Sequence, residues 1–303
     1  MAVRTASALL PRINVSFSGC GFLGIYHVGS YACWKHYQDK SVERIKNEIE
    51  KSKCTNPNST SKTHSSHEHY NDPPSFVIGN ALGASAGALV AGALIADYSP
   101  EELKNKFLDV AKDAKSRTFG AFHPKFDVNN LLRVELTKIF QDDINNNTLN
   151  GKLHISLTSA TFRNVIQSKF SSRNELIDAL ICSCYLPVFS GYKVPTFKSK
   201  TYLDGGFTNN QPVLDEKTTV KISPFSGGSH ICPDDNKAKE GKQWFVKLSG
   251  ETVEISRANL KRFVEALIPP ENLEALYMEG YKDTDEFIRS KNIHDFLYHP
   301  KAI

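Results

Sequence analysis

Residues 75–97 read SFVIGNALGASAGALVAGALIAD, and the arrangement of the rest of the chain follows from them. The apolar run 76–82 predicts a buried strand, and the small apolar residues 86–96 predict a helix. Between them, Gly83 to Gly87 form a G-x-S-x-G pattern, which in this context is typical of a nucleophile elbow that presents Ser85 at a helix start. A structural interpretation stays open, because glycine and alanine also allow close packing of a helix on a strand.

A second strand–loop–helix unit precedes the elbow. Residues 12–17 (RINVSF) alternate in polarity and predict a strand, which leads into residues 18–24 (SGCGFLG) and a long helix. The G-x-G-x-x-G spacing also suits a dinucleotide site, but that site needs a second strand ending in an acidic residue about 20 positions on. Residues 40–75 are strongly polar and offer no such strand, so we favour a row of backbone N–H donors for an oxyanion.

A carboxylate marks the third segment. Residues 201–212 read TYLDGGFTNNQP, with Asp204 at the end of a short predicted strand and two glycines after it. This is the placement of a catalytic loop residue, and an ordinary Asp-Gly turn explains the spacing equally well.

The remaining pattern predicts an alternating α/β chain. We expect strands at 152–160, 164–170 and 218–222, a turn-rich loop at 224–236, and helices beginning after Ser99 and spanning 127–140, 172–186, 256–267 and 271–289. Pro187 is expected to end the helix 172–186.

Composition excludes several classes of protein. The chain has 303 residues, is 40% hydrophobic and carries a net charge of only +4, without a dense basic run, so nucleic acid is not an expected partner. Its start lacks the apolar core of a signal peptide, and the apolar stretch 82–96 is too short to span a bilayer. The six cysteines form no C-x-x-C pair, which favours reduced thiols.

A histidine cluster lies within the polar segment 40–75. His64, His67 and His69 are close in sequence, with Cys54 nearby. We favour a solvated loop over a metal site, because the segment offers no core to orient ligands.

Taken in order, the glycine loop, the elbow and the Asp-Gly-Gly segment resemble the patatin-like phospholipase family. The stretches ISPFSG (222–227), ICP (231–233), PPE (269–271) and GYKD (280–283) are similar to its animal subgroup, typified by adipose triglyceride lipase. The resemblance spans residues 13–288. Many patatins have a third glycine and a basic residue where this chain has Cys20 and Leu23.

The resemblance implies a three-layer α/β/α patatin-like fold with a central mixed, mostly parallel sheet. It implies a catalytic domain over residues 1–254, with a polar insertion at about 40–75, and a C-terminal helical segment over 255–303 packed on it. It also implies a Ser-Asp dyad and an oxyanion loop. The residues so assigned are Ser85 (nucleophile), Asp204 (general base), Gly19, Cys20 and Gly21 (oxyanion hole), and Gly24, Gly83, Gly87, Gly205 and Gly206 (motif support).

The implied activity is hydrolysis of triacylglycerol to diacylglycerol and fatty acid, without metal or cofactor. The alternatives are a phospholipase or acyltransferase with the same dyad, or a catalytically silent lipid-binding scaffold. The implied setting is a cytoplasmic protein at a lipid-droplet or membrane surface, with a protein co-activator. A competing triad also stays open, because Ser85, Asp204 and His230 follow the chain order of α/β-hydrolases.

Overall fold

A computed structural model describes residues 8–54, 73–117, 127–140, 146–187, 189–191, 193–235 and 243–298. Its strands are β1 Arg12–Phe17, β2 Val77–Gly83, β3 Leu153–Ser159, β4 Asn164–Gln167, β5 Thr196–Phe197, β6 Lys200–Asp204, β7 Thr219–Ile222, β8 Phe245–Leu248 and β9 Glu251–Glu254. Its helices are α1 Gly24–Cys54, α2 Ala86–Ile95, α3 Pro100–Lys115, α4 Val128–Ile139, α5 Asn146–Leu149, α6 Arg173–Ser183, α7 Arg257–Leu267, α8 Leu273–Arg289 and α9 Asn292–Leu297.

The predicted α/β class with a mixed, mostly parallel sheet is confirmed. Strands β7, β1, β2 and β3 are neighbours in that order, and all three pairings are parallel. β4 and β6 pair with β3 in the antiparallel direction, and β5 pairs with β6. Helices flank this sheet in the three-layer α/β/α arrangement.

The helix starts follow from side-chain caps. The Ser99 hydroxyl accepts the N–H of Glu102 at the start of α3, and Asp127, Ser172, Ser256 and Asn272 cap α4, α6, α7 and α8 in the same way. Such caps satisfy backbone donors that a helix leaves unpaired.

Strand β3 brings two distant strand ends together. Ile155 pairs with Gly83 of β2, and Leu157 pairs with Asp204 of β6. At both Ile155 and Leu157, β4 pairs with the other edge of β3. β2 and β6 therefore pair with the same edge of β3, one after the other, and their C-terminal ends meet. The elbow after β2 and the carboxylate at the end of β6 are therefore close neighbours, although more than 100 residues separate them.

Helices α8 and α9 belong to the same core as the sheet. α8 lies along α1, where a methyl group on Gly280 would be 2.0 Å from the carbonyl oxygen of Tyr26. The Tyr26 hydroxyl donates to Asp283 of α8 at 2.7 Å, and Phe287 packs against Trp34 of α1. Whether a domain boundary falls at 254–255 stays a prediction.

Several predicted bounds are wrong by a few residues. The strand expected at 164–170 ends at Gln167, and the helix expected to reach Pro187 ends at Ser183. The chain must leave this helix early because the carbonyl of Tyr185 accepts the N–H of Asp204 at 2.9 Å.

The β8–β9 hairpin and the short β5 and α9 were not predicted. All four residues of β8 are exposed, so their burial gives no alternating pattern to recognise. The register is set by the turn at Ser249 and Gly250, whose φ angles of 45° and 89° are those of a type I′ hairpin.

Candidate active site

The strand, turn and helix that the G-x-S-x-G pattern predicts are present. Ser85 has φ 52° and ψ −131°, a conformation that costs a non-glycine residue on the order of 1–3 kcal/mol. A methyl group on Gly83 would lie 2.4 Å from the backbone of Gly87, and one on Gly87 would lie 2.3 Å from the carbonyl oxygen of Phe17. Close backbone approach therefore requires both glycines, while Ser85 itself carries the strain.

A buried hydroxyl from another helix holds the strained turn in place. The N–H of Ser85 donates to the Ser183 hydroxyl at 2.9 Å, and that hydroxyl donates to the carbonyl of Ser156 on β3 at 2.8 Å. No local pattern in the sequence points to Ser183, because its partners lie 98 and 27 residues away.

Asp204 is fixed by its backbone and by its side chain. The Thr158 hydroxyl donates to its carbonyl oxygen at 2.7 Å, and the N–H of Gly206 donates to its carboxylate at 2.7 Å. Asp204 is 4% exposed, and burial raises its pKa to about 6, against the opposing effects of the neighbouring Ser85 hydroxyl and of the hydrogen bond from Gly206. A carboxylate with this pKa is a far better base near neutral pH than an exposed aspartate.

The structure brings Ser85 and Asp204 together. The Ser85 hydroxyl lies beside the Asp204 carboxylate and favours its charged form, and the Cys184 thiol lies near the same hydroxyl, with all three residues on one cavity wall. Burial raises the pKa of Cys184 well above its usual value, so the thiol stays protonated and is a poor nucleophile. The hydroxyl beside a carboxylate is the arrangement of an activated nucleophile.

The loop between β1 and α1 lies against the elbow. A methyl group on Gly19 would be 3.2 Å from the Cβ of Ser85, and Cys20 and Gly21 line the same cavity as Ser85. Of the three expected donors, Gly19 already gives its N–H to Asn210, at 3.1 Å from the side-chain oxygen and 3.2 Å from the main-chain oxygen. Within the described residues no acceptor engages the N–H groups of Cys20 and Gly21, so these two remain open to an oxyanion, and the assignment of Gly19, Cys20 and Gly21 as the oxyanion hole stays a prediction.

Asn210 and Glu251 are polar residues of the site that sequence reasoning missed. The Asn210 amide donates to the carbonyl of Gly19 at 3.1 Å and to the Glu251 carboxylate at 2.6 Å, and the Ser223 hydroxyl also donates to Glu251. Asn210 follows Asp204 by six residues, so it links the aspartate loop to the oxyanion loop. The T-N-N-Q-P stretch was visible in the sequence, but its partner Gly19 lies 191 residues away.

The other motif glycines surround the same centre. Gly205 packs on Ser156 of β3, and a methyl group on Gly206 would be 2.8 Å from the Asn210 side chain. Gly24 faces Phe107 of α3 and Ala86 of α2. Any side chain at these positions would push apart the segments that carry Ser85, Asp204 and the loop.

Ser85 and Asp204 open into a cavity of about 500 Å³. Its walls are mainly apolar, with side chains from α3 and α4 on one side and from β8 and α7 on another, including Phe107, Leu131, Leu132, Leu248, Phe263 and Leu267. Phe22, Leu186 and Phe189 also line the cavity, whereas Leu23 and Ile25 are fully buried in the core. A space of this size and polarity suits a long acyl chain.

His230 lies away from this centre. It is not among the residues that line the cavity, and its ring packs edge-on against Phe296 at 4.8 Å. Its Nδ1 accepts the N–H of Lys221 at 2.9 Å, and burial together with Lys221 lowers its pKa to about 4. The geometry therefore favours the dyad over the triad.

The predicted histidine-rich loop lies outside the described residues, as do the side chain of Cys54 and most of the polar insertion. Cys20, Cys33, Cys182, Cys184 and Cys232 are free thiols in the described part of the chain. None of the helices that the structure describes combines the length and hydrophobicity needed to cross a bilayer.

Comparison with known proteins places this geometry in context. The family model for patatin-like phospholipase matches residues 78–216. The chain is 33% identical over 285 residues to a Mus musculus protein described as 1-acylglycerol-3-phosphate O-acyltransferase Pnpla3, a match that covers 93% of this chain and 60% of that protein. It is 34% identical over 286 residues to Patatin-like phospholipase domain-containing protein 2 of Mus musculus, which covers 92% of this chain and 51% of that protein.

A third relative matches along its whole length. Patatin-like phospholipase domain-containing protein 4 of Homo sapiens is 34% identical over 289 residues, which is 93% of this chain and 99% of that protein. The chain thus spans about half the length of the first two relatives and nearly all of the third.

Proposed function

This chain belongs to the patatin-like phospholipase family, and on that basis we propose that it is a serine lipase acting on carboxylic esters of glycerolipids, chiefly triacylglycerol. The observation that carries the proposal is the placement of the Ser85 hydroxyl beside the buried Asp204 carboxylate at an apolar cavity. Family membership supports a lipid hydrolase or acyltransferase, and the choice of triacylglycerol is the finer part of the proposal.

The first half of the reaction is acylation of Ser85. Its Oγ attacks the ester carbonyl while Asp204 accepts the hydroxyl proton. The N–H groups of Cys20 and Gly21 donate to the oxyanion, and loss of one such donor typically raises the barrier by about 2.7–4 kcal/mol. When the intermediate collapses, the proton on Asp204 passes to the leaving alkoxide, which departs as diacylglycerol.

The second half releases the acyl group. Asp204 accepts a proton from a water molecule, whose oxygen attacks the acyl-enzyme carbonyl, and the same N–H groups stabilise the second oxyanion. Collapse returns the proton to Ser85 and frees the fatty acid. The acyl chain occupies the apolar cavity throughout, which keeps the ester carbonyl at the nucleophile.

Acyl transfer is the second candidate, because one similar relative is described as an acyltransferase. The two activities share the acyl-enzyme and differ in whether water or an alcohol accepts the acyl group. A scaffold without catalysis is disfavoured, because Ser85, Asp204 and the loop donors are all assembled. The setting that we propose is a lipid-droplet or membrane surface, with a protein co-activator suggested by family resemblance.

A product assay tests the proposal. Purified protein is incubated with emulsified triacylglycerol, with phosphatidylcholine, and with lysophosphatidic acid plus an acyl donor, and the products are quantified by mass spectrometry. We expect Ser85-dependent release of fatty acid and diacylglycerol, which Ser85→Ala abolishes. Exclusive formation of acylated lysophosphatidic acid would show that the activity is acyl transfer and not hydrolysis.

Two substitutions separate the dyad from the triad. Asp204→Asn should lower ester hydrolysis by about 10²–10⁴-fold because it removes the general base. His230→Ala should leave most activity intact because His230 lies outside the cavity. Steady-state kinetics on a water-soluble ester measures both, and the reverse pattern would establish the triad.

A further inference from the structure

Exposed apolar side chains are concentrated on the β8–β9 hairpin and on α7. We call rim face the exposed set Trp244, Phe245, Leu248, Leu260, Val264 and Leu267, which are between 38% and 67% exposed; on β8 it includes side chains from both sides of the strand, because that strand is exposed along its whole length. On α7 the three members follow the spacing i, i+4, i+7, so they form one stripe along the helix. An apolar stripe of this kind facing water, beside a strand exposed along its whole length, indicates a docking surface.

The rim face is continuous with the cavity that holds Ser85. Leu248 and Leu267 are exposed and also line the cavity, so they form part of its mouth. The hairpin turn is bonded to the aspartate loop, because the N–H of Asn210 donates to the carbonyl of Ser249 at 2.7 Å and the Ser249 hydroxyl donates to the carbonyl of Phe207 at 2.9 Å. A ligand or surface that binds the rim face therefore lies next to the mouth of the cavity.

Charge on this face has one sign. In residues 243–268 the exposed charged side chains are Lys247, Arg257 and Lys261. Glu251 and Glu254 are buried, and Glu265, with a side chain only 20% exposed, pairs with Lys261 at 3.4 Å. Basic residues around exposed tryptophan, phenylalanine and leucine are complementary to anionic headgroups above an acyl layer.

We propose that the rim face is the surface by which the protein docks on a phospholipid layer containing anionic headgroups. This inference rests on the proposed function, because docking there would let a lipid pass from the layer into the cavity without crossing water. The apolar side chains enter the acyl boundary, and Lys247, Arg257 and Lys261 stay at the headgroups.

Vesicle flotation with matched variants tests the proposal. The vesicles are phosphatidylcholine alone or phosphatidylcholine mixed with phosphatidylserine, and the test variant is Phe245→Ser with Leu260→Ser, neither of which lines the cavity. The control is Leu214→Ser with Tyr298→Ser, which removes an exposed leucine and an exposed aromatic outside the rim face. We expect binding of the test variant to fall by about tenfold or more, while the control binds like the wild type.

A charge variant tests the headgroup part. Lys247→Gln with Arg257→Gln should lose the preference for phosphatidylserine and keep the binding to phosphatidylcholine alone. Equal binding of the wild type and the Phe245→Ser, Leu260→Ser variant would overturn the proposal. A wild type that binds neither kind of vesicle would also overturn it, including a wild type that sedimentation shows to be a dimer.

Hydrolysis of a water-soluble short-chain ester separates this proposal from the proposed function. The Phe245→Ser, Leu260→Ser variant should match the wild type on that ester and lose activity on emulsified lipid in parallel with vesicle binding. If the wild type fails on the soluble ester, the proposed function fails, while flotation still decides the docking surface.

Discussion

Burial of Asp204 acts on the reaction and on stability in opposite directions. The carboxylate is 4% exposed and has a pKa of about 6 because burial disfavours its charged form. The carboxylate is therefore basic enough to accept the Ser85 proton, and its buried negative charge also lowers the stability of the folded protein. Burial of this one side chain thus sets two measurable quantities, the pH dependence of the reaction and the stability of the fold.

The pH dependence of the reaction reports the first quantity. Asp204 must be ionised to act as a base, so kcat/KM should rise with pH through about 6 and level off above it. Kinetics on a water-soluble ester between about pH 4 and about pH 8, two units on each side of that midpoint, measures the profile. A midpoint below about 4.5, the range of an exposed carboxylate, would contradict the buried base.

The stability of Asp204→Asn reports the second quantity. Since the folded pKa lies above the unfolded value near 4, ionisation of Asp204 lowers stability as pH rises from about 4 to about 6 and lowers it fully above that. Asp204→Asn should therefore be more stable than the wild type at pH 8, by on the order of 2 kcal/mol, and the difference should shrink at pH 4. Urea unfolding at the two pH values measures it, and a less stable variant at pH 8 would refute this account of the carboxylate.

At the scale of elements, the site depends on how loops are held by side chains from distant segments. The elbow and the Asp-Gly-Gly loop could be predicted because strand, turn and helix signals surround each residue locally. The clamp of Asn210 on Gly19 and the support of Ser85 by Ser183 could not, because each joins positions 98 to 191 residues apart. The hairpin was missed for a different reason, since β8 has no buried face and its pairing depends on one tight turn.

Asn210→Asp tests the clamp. The substitution removes the donor to Gly19 and Glu251 and places a second carboxylate against Glu251. We expect kcat to fall by roughly 10²-fold with little change in KM, because the oxyanion loop shifts while the acyl cavity is kept. Kinetics of the purified variant on a water-soluble ester measures this split.

The matched control is Asn209→Asp, one residue away, whose side-chain hydrogen bond among the described residues is to Asn164 at 3.4 Å. It should leave kcat nearly unchanged. Adding Glu251→Gln to Asn210→Asp should recover part of the loss, because the pair regains a donor. Equal effects at positions 209 and 210 would show that the clamp has no catalytic role.

At the scale of the whole molecule, the site exists only when the sheet is assembled. The loop after β1, the elbow after β2, the end of β6 and the β9 residue Glu251 meet through the order in which β1, β2, β3 and β6 associate. Sequence motifs identify three of these segments one by one. Their meeting is a property of strand order and of the shared edge of β3, which no local pattern encodes.

Covalent labelling tests the assembled site most directly. The native protein, the same protein in denaturing urea, and Ser85→Ala are treated with a fluorophosphonate, and the modified residue is located by intact-mass analysis and peptide mapping. We predict a single adduct at Ser85 that appears only in the native wild type, because the strained hydroxyl is nucleophilic only beside Asp204. A folded wild type that takes up no label, or labels at another residue, would contradict the serine-hydrolase site.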